Sequence, residues 1–173
     1  IDGLPRVFGV QSSHADPVFR YYSQPPEKRD YKPVTVRPSV AQAAMIGNPV
    51  SMPRVIHLVN RYNQLAGCQR VFFVEVSEQD IMDWQLVANN NGHIACTHGG
   101  ESLAGLIAAK NKGLIDSNEV AVLDSTAHAL KFSGFQQMYF EDRFPQEYKI
   151  SLVISLCIDG FHDHTNRSKP NRL

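Results

Sequence analysis

The run from Asn89 to Phe135, NNNGHIACTHGGESLAGLIAAKNKGLIDSNEVAVLDSTAHALKFSGF, is the stretch on which the fold assignment turns. His93 to Cys96 is a short apolar run, expected as a strand that breaks into Thr97-His98-Gly99-Gly100. A helix is expected from Glu101 to Lys112, carrying the small residues Ala104, Gly105, Ala108 and Ala109. Small residues let a helix lie close to a sheet. Gly105 in mid-helix costs about 1 kcal/mol relative to Ala, so close packing should offset it. Gly113 is placed to end the helix in a left-handed cap. Glu119 to Leu123 reads as a further strand, ending in the polar loop Asp124-Ser125-Thr126-Ala127-His128. Strand, turn, helix, strand, turn is the signature of an α/β protein. Ligands of open α/β sheets bind beyond the carboxyl ends of the strands. Both such ends here carry hydroxyls, so a small-molecule site is expected there.

Working outward, Arg6 to Gln11 (RVFGVQ) reads as a buried strand. Asp16 before Pro17 signals a helix start, with a short helix over Val18 to Ser23. Ser23 to Pro38 contains Pro25, Pro26, Pro33 and Pro38, which forbid a continuous helix or central strand. A solvated loop is one reading, and a lid or partner contact the other. Ser39 is expected to cap a helix to Met45, which Gly47-Asn48-Pro49 stops. A second helix starts at Ser51 and Pro53, with Val55, Leu58, Val59 and Tyr62 on one face. In the loop between, Gly47 permits a positive φ and Pro49 forces Asn48 to be extended. The residues alone leave open whether this is a plain turn or the wall of a site. Arg70 to Val76 is a clear strand, and Ser77 with Asp80 forms a capping box at the start of the next helix. Ile81, Trp84 and Ala88 share its apolar side, Trp84 being read as core. That helix can serve as a crossover between parallel strands. Phe135 to Asp142 is expected as a closing helix.

With 173 residues, 43% apolar and 20% charged, the chain has the composition of a globular domain or most of one. A formal net charge of zero gives no electrostatic footprint for nucleic acid or an anionic membrane. Cys68, Cys96 and Cys157 are odd in number and widely spaced, without disulfide or zinc patterning, which fits a reducing cytoplasm. No apolar run approaches the roughly 20 residues of a membrane span. No signal-peptide pattern is read at the N-terminus, and a start at Ile1 leaves open a removed start or a fragment of a longer protein. The character changes after Tyr148. Residues 149–173 form an atypical tail without a packing period, a candidate disordered segment. His162-x-His164 with Asp163 lacks a third ligand, so no metal site is expected.

Three blocks in order carry a resemblance. Ala44-Met45-Ile46-Gly47-Asn48-Pro49-Val50-Ser51, Cys96-Thr97-His98-Gly99-Gly100-Glu101-Ser102-Leu103-Ala104-Gly105 and Leu123-Asp124-Ser125-Thr126-Ala127-His128-Ala129-Leu130-Lys131-Phe132 resemble the C-terminal portion of threonine synthase. The likeness covers roughly Leu4 to Tyr148. It implies that residues 1–148 are the C-terminal part of a catalytic domain of fold type II, dependent on pyridoxal 5'-phosphate. The implied fold is a three-layer αβα arrangement with a mainly parallel sheet. The implied reaction converts O-phosphohomoserine and water into threonine and phosphate.

By the same resemblance, Thr126 contacts the pyridine nitrogen of the cofactor, with Ser125 beside it. Thr97 and its glycines form a wall near the ring, and Gly47 and Asn48 lie at the mouth of the substrate site. The residues alone leave open that Asp124, Ser125 and Thr126 simply cap the turn. Cys96 is expected to be a buried structural thiol. His14, His93, His98 and His128 each adjoin a strand end and none is assigned a role. The lysines are Lys28, Lys32, Lys110, Lys112, Lys131, Lys149 and Lys169, and none matches the Schiff-base lysine of the family. That lysine and the phosphate loop are expected upstream, so this chain by itself should be inactive. Threonine or serine dehydratase and cysteate synthase are the near alternatives; a non-catalytic α/β module is the alternative of another class. The expected partner is a small-molecule substrate, not nucleic acid or membrane, and a homo-oligomer is open. Missing neighbour strands should leave an apolar sheet edge and promote self-association.

Overall fold

The computed structural model describes residues 3–153. Two strands, β1 (Val7–Ser12) and β2 (Val71–Val76), pair in parallel, with Val7 opposite Val71 and Ser12 opposite Val76. Both start one residue later than expected. Side chains alternate along a strand, which gives the sheet two distinct faces. Phe8, Val10, Phe72, Val74 and Val76 share one of them. Against that face lies α4 (Thr97–Asn111), close enough that a Cβ on Gly105 would run into the Val10 side chain. On the other face, α1 (Pro17–Tyr22) stacks Tyr22 on Phe73 at 4.4 Å between centroids. Gln11 anchors the start of α1, its Oε1 accepting the Val18 and Phe19 N–H groups at 2.9 Å each. Helices on both faces of a parallel pair give the three layers the sequence implies.

The crossover from β1 to β2 runs through α1, an irregular excursion and α2 (Met52–Ala66). The excursion over residues 23–38 contains one 3-10 turn, Pro26–Lys28, and is otherwise non-repetitive, as its prolines dictate. After β2, α3 (Glu78–Asn90) starts in the expected capping box: Ser77 Oγ accepts the Asp80 N–H at 3.0 Å, and the Asp80 carboxylate accepts the Ser77 N–H at 3.4 Å. The chain then passes through α4 and a 3-10 turn, Ala129–Phe132, into α5 (Ser133–Phe140). The main core joins Val40, Val76, Ile81, Met82, Leu86, Ala104, Phe135 and Tyr139, with Trp84 packed at its margin. Tyr139 is fully buried and donates its hydroxyl to Asp83 at 3.0 Å. Gly113 closes α4 as expected, at φ 68°, with Leu114 N–H reaching back to Ala109 O at 2.9 Å.

Several expectations are corrected. Residues 93–96 form no strand; Ala95 makes only an isolated antiparallel bridge to His128. Residues 119–123 form no strand either, and Val120 and Val122 are 95% and 94% exposed. A run of β-formers becomes a strand only when its N–H and C=O groups find a neighbour. Here an apolar groove of about 710 Å³ separates the run from the outer edge of β1. Arg6 spans the groove at one end, bonded to Glu119 and to the Leu114 carbonyl. Helix α4 begins at Thr97, not Glu101, because Gly99 and Gly100 sit where side chains would not fit. A Cβ on Gly100 would lie 2.5 Å from the Ile81 carbonyl oxygen of α3.

Ser39 caps no helix: its Oγ accepts the Ala41 N–H at 3.0 Å, and only the 3-10 turn Gln42–Ala44 follows. Burial of Val40 and Ala41 in the core holds this segment irregular. Leu58 is 53% exposed, so α2 packs on a narrower stripe, led by Met52 and Val59. Gly47 is not at positive φ; it is needed because a Cβ there would strike the Val34 carbonyl oxygen. Cys157, Lys169, the His162–His164 pair and most of the tail lie outside the described residues.

Self-association through an open sheet edge of this kind is expected. Charging both exposed valines, Val120→Lys with Val122→Lys, is expected to weaken it roughly tenfold, since edge lysines oppose strand addition. Sedimentation velocity at matched concentrations checks this. An unchanged association state would remove the groove as the contact.

Candidate functional site

A cleft of about 320 Å³ opens where the chain leaves the carboxyl end of the sheet. One wall is the start of α4, through His98, Glu101 and Ser102. The opposite wall is the loop carrying Asp124, Thr126 and Ala127, continued by Lys131 and Phe132. Cys96 N–H bonds to Ala127 O at 3.1 Å, and Ala129 N–H to Ile94 O at 3.1 Å. These two bonds fix the loop beside α4. At Gly99 a Cβ would come 2.8 Å from Ala95 Cβ and 3.2 Å from Ser125 Oγ, so glycine there lets the loop approach the helix.

Thr126 stands on the cleft wall and is exposed. Its Oγ1 lies 3.9 Å from the Cys96 sulfur, a weak contact that leaves the hydroxyl able to donate elsewhere. Ser125 adjoins it, its side chain over Gly99. Thr97 is fully buried beneath the start of α4, its Oγ1 without a partner, and does not line the cleft. Gly47 and Asn48 do not line it either, although Ala43 and Ala44 of the same segment do. The Asn48 carboxamide oxygen accepts the Tyr31 hydroxyl at 2.8 Å. The site residues expected from sequence are therefore brought together in part: Thr126 and Ser125 at the cleft, Thr97 beneath it, and Gly47 and Asn48 away from its lining.

The histidines sort clearly. His98 Nε2 accepts the Ala43 N–H at 3.1 Å, which places the ring proton on Nδ1. Burial, then the Lys131 charge, lowers its pKa, and the Nε2 lone pair is already taken by the Ala43 N–H. His14 is buried and donates from Nδ1 to Pro38 O at 2.5 Å. The Glu78 carboxylate accepts from Ser12 Oγ and, at 2.7 Å, from Val40 N–H, tying the end of β1 to α3. Cys96 is fully buried with a free thiol, the structural role expected of it.

Sequence reasoning missed Glu101. It is 7% exposed, and burial raises its carboxyl to about 7; the Ser12 backbone N–H lowers it and neighbouring Glu78 raises it further. The signal was present: Thr97, Glu101, Ala104, Gly105 and Ala108 share one helical stripe, in which Glu101 is the sole acid. Among the described residues no group of three or more His, Cys, Asp or Glu side chains could hold a metal ion. None of the described helices is long and apolar enough to cross a membrane.

A parallel sheet between helix layers, with a hydroxyl-bearing loop and a small cleft past the strand ends, defines an α/β fold. No family model matches the chain. Individual proteins do, threonine synthases among them. The chain is 31% identical over 133 residues to threonine synthase 2, chloroplastic, of Arabidopsis thaliana, covering 77% of this chain and 24% of that protein. It is 29% identical over 132 residues to the threonine synthase of Methanocaldococcus jannaschii, covering 76% and 30%. The chain contains a threonine synthase-like region, and it spans 24% and 30% of the length of these two relatives.

Proposed function

We propose that this region is one wall of the active site of a threonine synthase dependent on pyridoxal 5'-phosphate, acting on O-phosphohomoserine. The observation that carries the reading is the Thr126 hydroxyl, exposed on a cleft at the carboxyl end of the sheet and free to donate. The cleft suits the ring of such a cofactor. Its volume is at the lower end for small-molecule sites, Phe132 and Ala127 offer apolar surface, and Thr126 offers one neutral donor. When bound, the cofactor supplies an electron sink for chemistry at the substrate carbon. Thr126 orients the ring through its nitrogen, and because a hydroxyl is neutral it leaves that nitrogen mostly unprotonated. Ser125 keeps the loop seated over Gly99. Thr97 acts from below, by holding the first turn of α4. Gly47 and Asn48, braced by Tyr31, are assigned to the mouth, reached through Ala43 and Ala44.

The covalent lysine and the phosphate loop belong to this reading as parts of a longer protein. Of the described lysines, Lys131 lines the cleft. Residues 1–148 are then the C-terminal part of the catalytic domain, with 149–173 an appended tail. A cytoplasmic setting and a homo-oligomer remain part of the proposal. Dehydratase or cysteate synthase chemistry could use the same wall; the names of both relatives favour threonine synthase.

The test substitutes Thr126 in the longer protein. Thr126→Ala is expected to weaken cofactor binding roughly fivefold, the worth of a hydrogen bond of about 1 kcal/mol, whereas Thr126→Ser retains it. Equal affinity for wild type and Thr126→Ala, read by absorbance titration, would take Thr126 off the ring.

A further inference from the structure

Glu101 is a buried acid for which the proposed reaction has no use. Its Oε1 is enclosed and has no hydrogen-bond partner, while the carboxyl also meets the Ser12 backbone N–H. A buried polar atom left unpaired is rare enough to require an explanation. The charged and titratable groups around it come from four elements. Glu78 on α3 is a like charge, already engaged by Ser12 and Val40, with His14 3.9 Å beyond it. Asp124 on the loop is a second acid lining the cleft. His98, on α4 itself, is occupied by Ala43. Lys131 lines the cleft with its ammonium 5.5 Å over the Phe132 ring. None of the ion pairs among the described residues includes Glu101. On the α4 wall Glu101 therefore has no cationic partner, and the one lysine lining the cleft, Lys131, lies on the opposite wall over Phe132.

We propose that Glu101 anchors a positively charged nitrogen of the bound ligand, accepting its N–H at the unpaired Oε1. The proposal rests on the reading of this cleft as a small-molecule site. Burial keeps the free carboxyl half-protonated near neutral pH. When the cation arrives, the Glu101 O–H bond breaks and the proton leaves to solvent; no other bond changes. A group that must ionise to bind its ligand makes binding tighter as pH rises through its free pKa.

Carbon-13 NMR of the Glu101 carboxyl tests this in the 173-residue chain, with pyridoxamine 5'-phosphate as the probe, which carries a charged amine and no aldehyde. Glu101→Gln assigns the resonance, and equal melting of the two chains at about pH 5 shows the variant folded. The carboxyl is expected to titrate near pH 7 when free and to be ionised by saturating probe at about pH 6.5. Between about pH 6 and pH 8 affinity should rise roughly tenfold more in wild type than in Glu101→Gln. Titration of the free carboxyl in the ordinary carboxylate range overturns the proposal. So does a carboxyl unmoved by probe while Thr126 and Phe132 resonances report binding, and in that case the cleft reading stands. A probe that shifts no cleft resonance overturns both.

Discussion

Gly105→Ala is expected to destabilise the chain by about 2 kcal/mol, although alanine is the better helix former by about 1 kcal/mol. The new Cβ would overlap Val10 Cγ2 and stand 2.7 Å from Cγ1 and 3.0 Å from Cβ of the same side chain. Overpacking of this kind costs about 1–3 kcal/mol. The neighbour cannot turn away freely, because a β-branched side chain in a strand is stiff at χ1. So α4 must move off the sheet, taking His98, Glu101 and Ser102 with it. Val10→Ala removes the clashing methyl groups. The two substitutions together should therefore cost less than the sum of their separate costs, by about 1–2 kcal/mol of coupling. Urea denaturation of the four chains measures this. Strict additivity would mean that α4 does not rest on Val10.

Glu101→Gln is expected to do the reverse above neutrality and stabilise the chain. The folded pKa, about 7, lies above the model value of 4.5. An acid raised in this way binds more protons folded than unfolded between those values. Its contribution is thus fully present below the unfolded pKa and is lost as pH rises through the folded one. The loss is about 3 kcal/mol, from roughly two and a half pKa units. Glutamine keeps the shape and has no proton to lose. The variant should match wild type near pH 4.5 and exceed it by about 3 kcal/mol near pH 8. Glu75, also raised to about 7, chiefly by burial and then by Asp16, adds the same trend to both chains. Only the difference between the chains reports Glu101. Parallel stability curves from pH 4.5 to pH 8 would show that its carboxyl titrates in the folded chain as it does in the unfolded one.

The two strands, the capping box of α3, the small-residue face of α4 and the Gly113 cap were all legible before any coordinates. Each depends on period-2 or 3.6-residue patterning, or on a side chain bonding backbone two or three residues away. Thr126 was singled out through resemblance, where chemistry alone leaves several hydroxyls equivalent, and it stands on the cleft wall. The two strand misreadings share one cause. Residues 93–96 and 119–123 have strand composition, but a ladder needs a partner, and among the described residues neither run has a continuous one. Gly99 and Gly100 look like helix breakers, yet they are the residues that let α4 start early against α3.

Local order in this chain was thus written in the residues themselves: where strands and helices run, and which faces are apolar. Three matters were settled by folding. Backbone pairing chose which β-prone runs became strands. Close approach turned Gly47, Gly100 and Gly105 from flexible links into spacers. Burial raised the carboxyl of an ordinary glutamate to about 7 on the cleft wall facing Thr126. Pairing, contact distance and dielectric arise between segments far apart in the chain, and no local pattern encodes them.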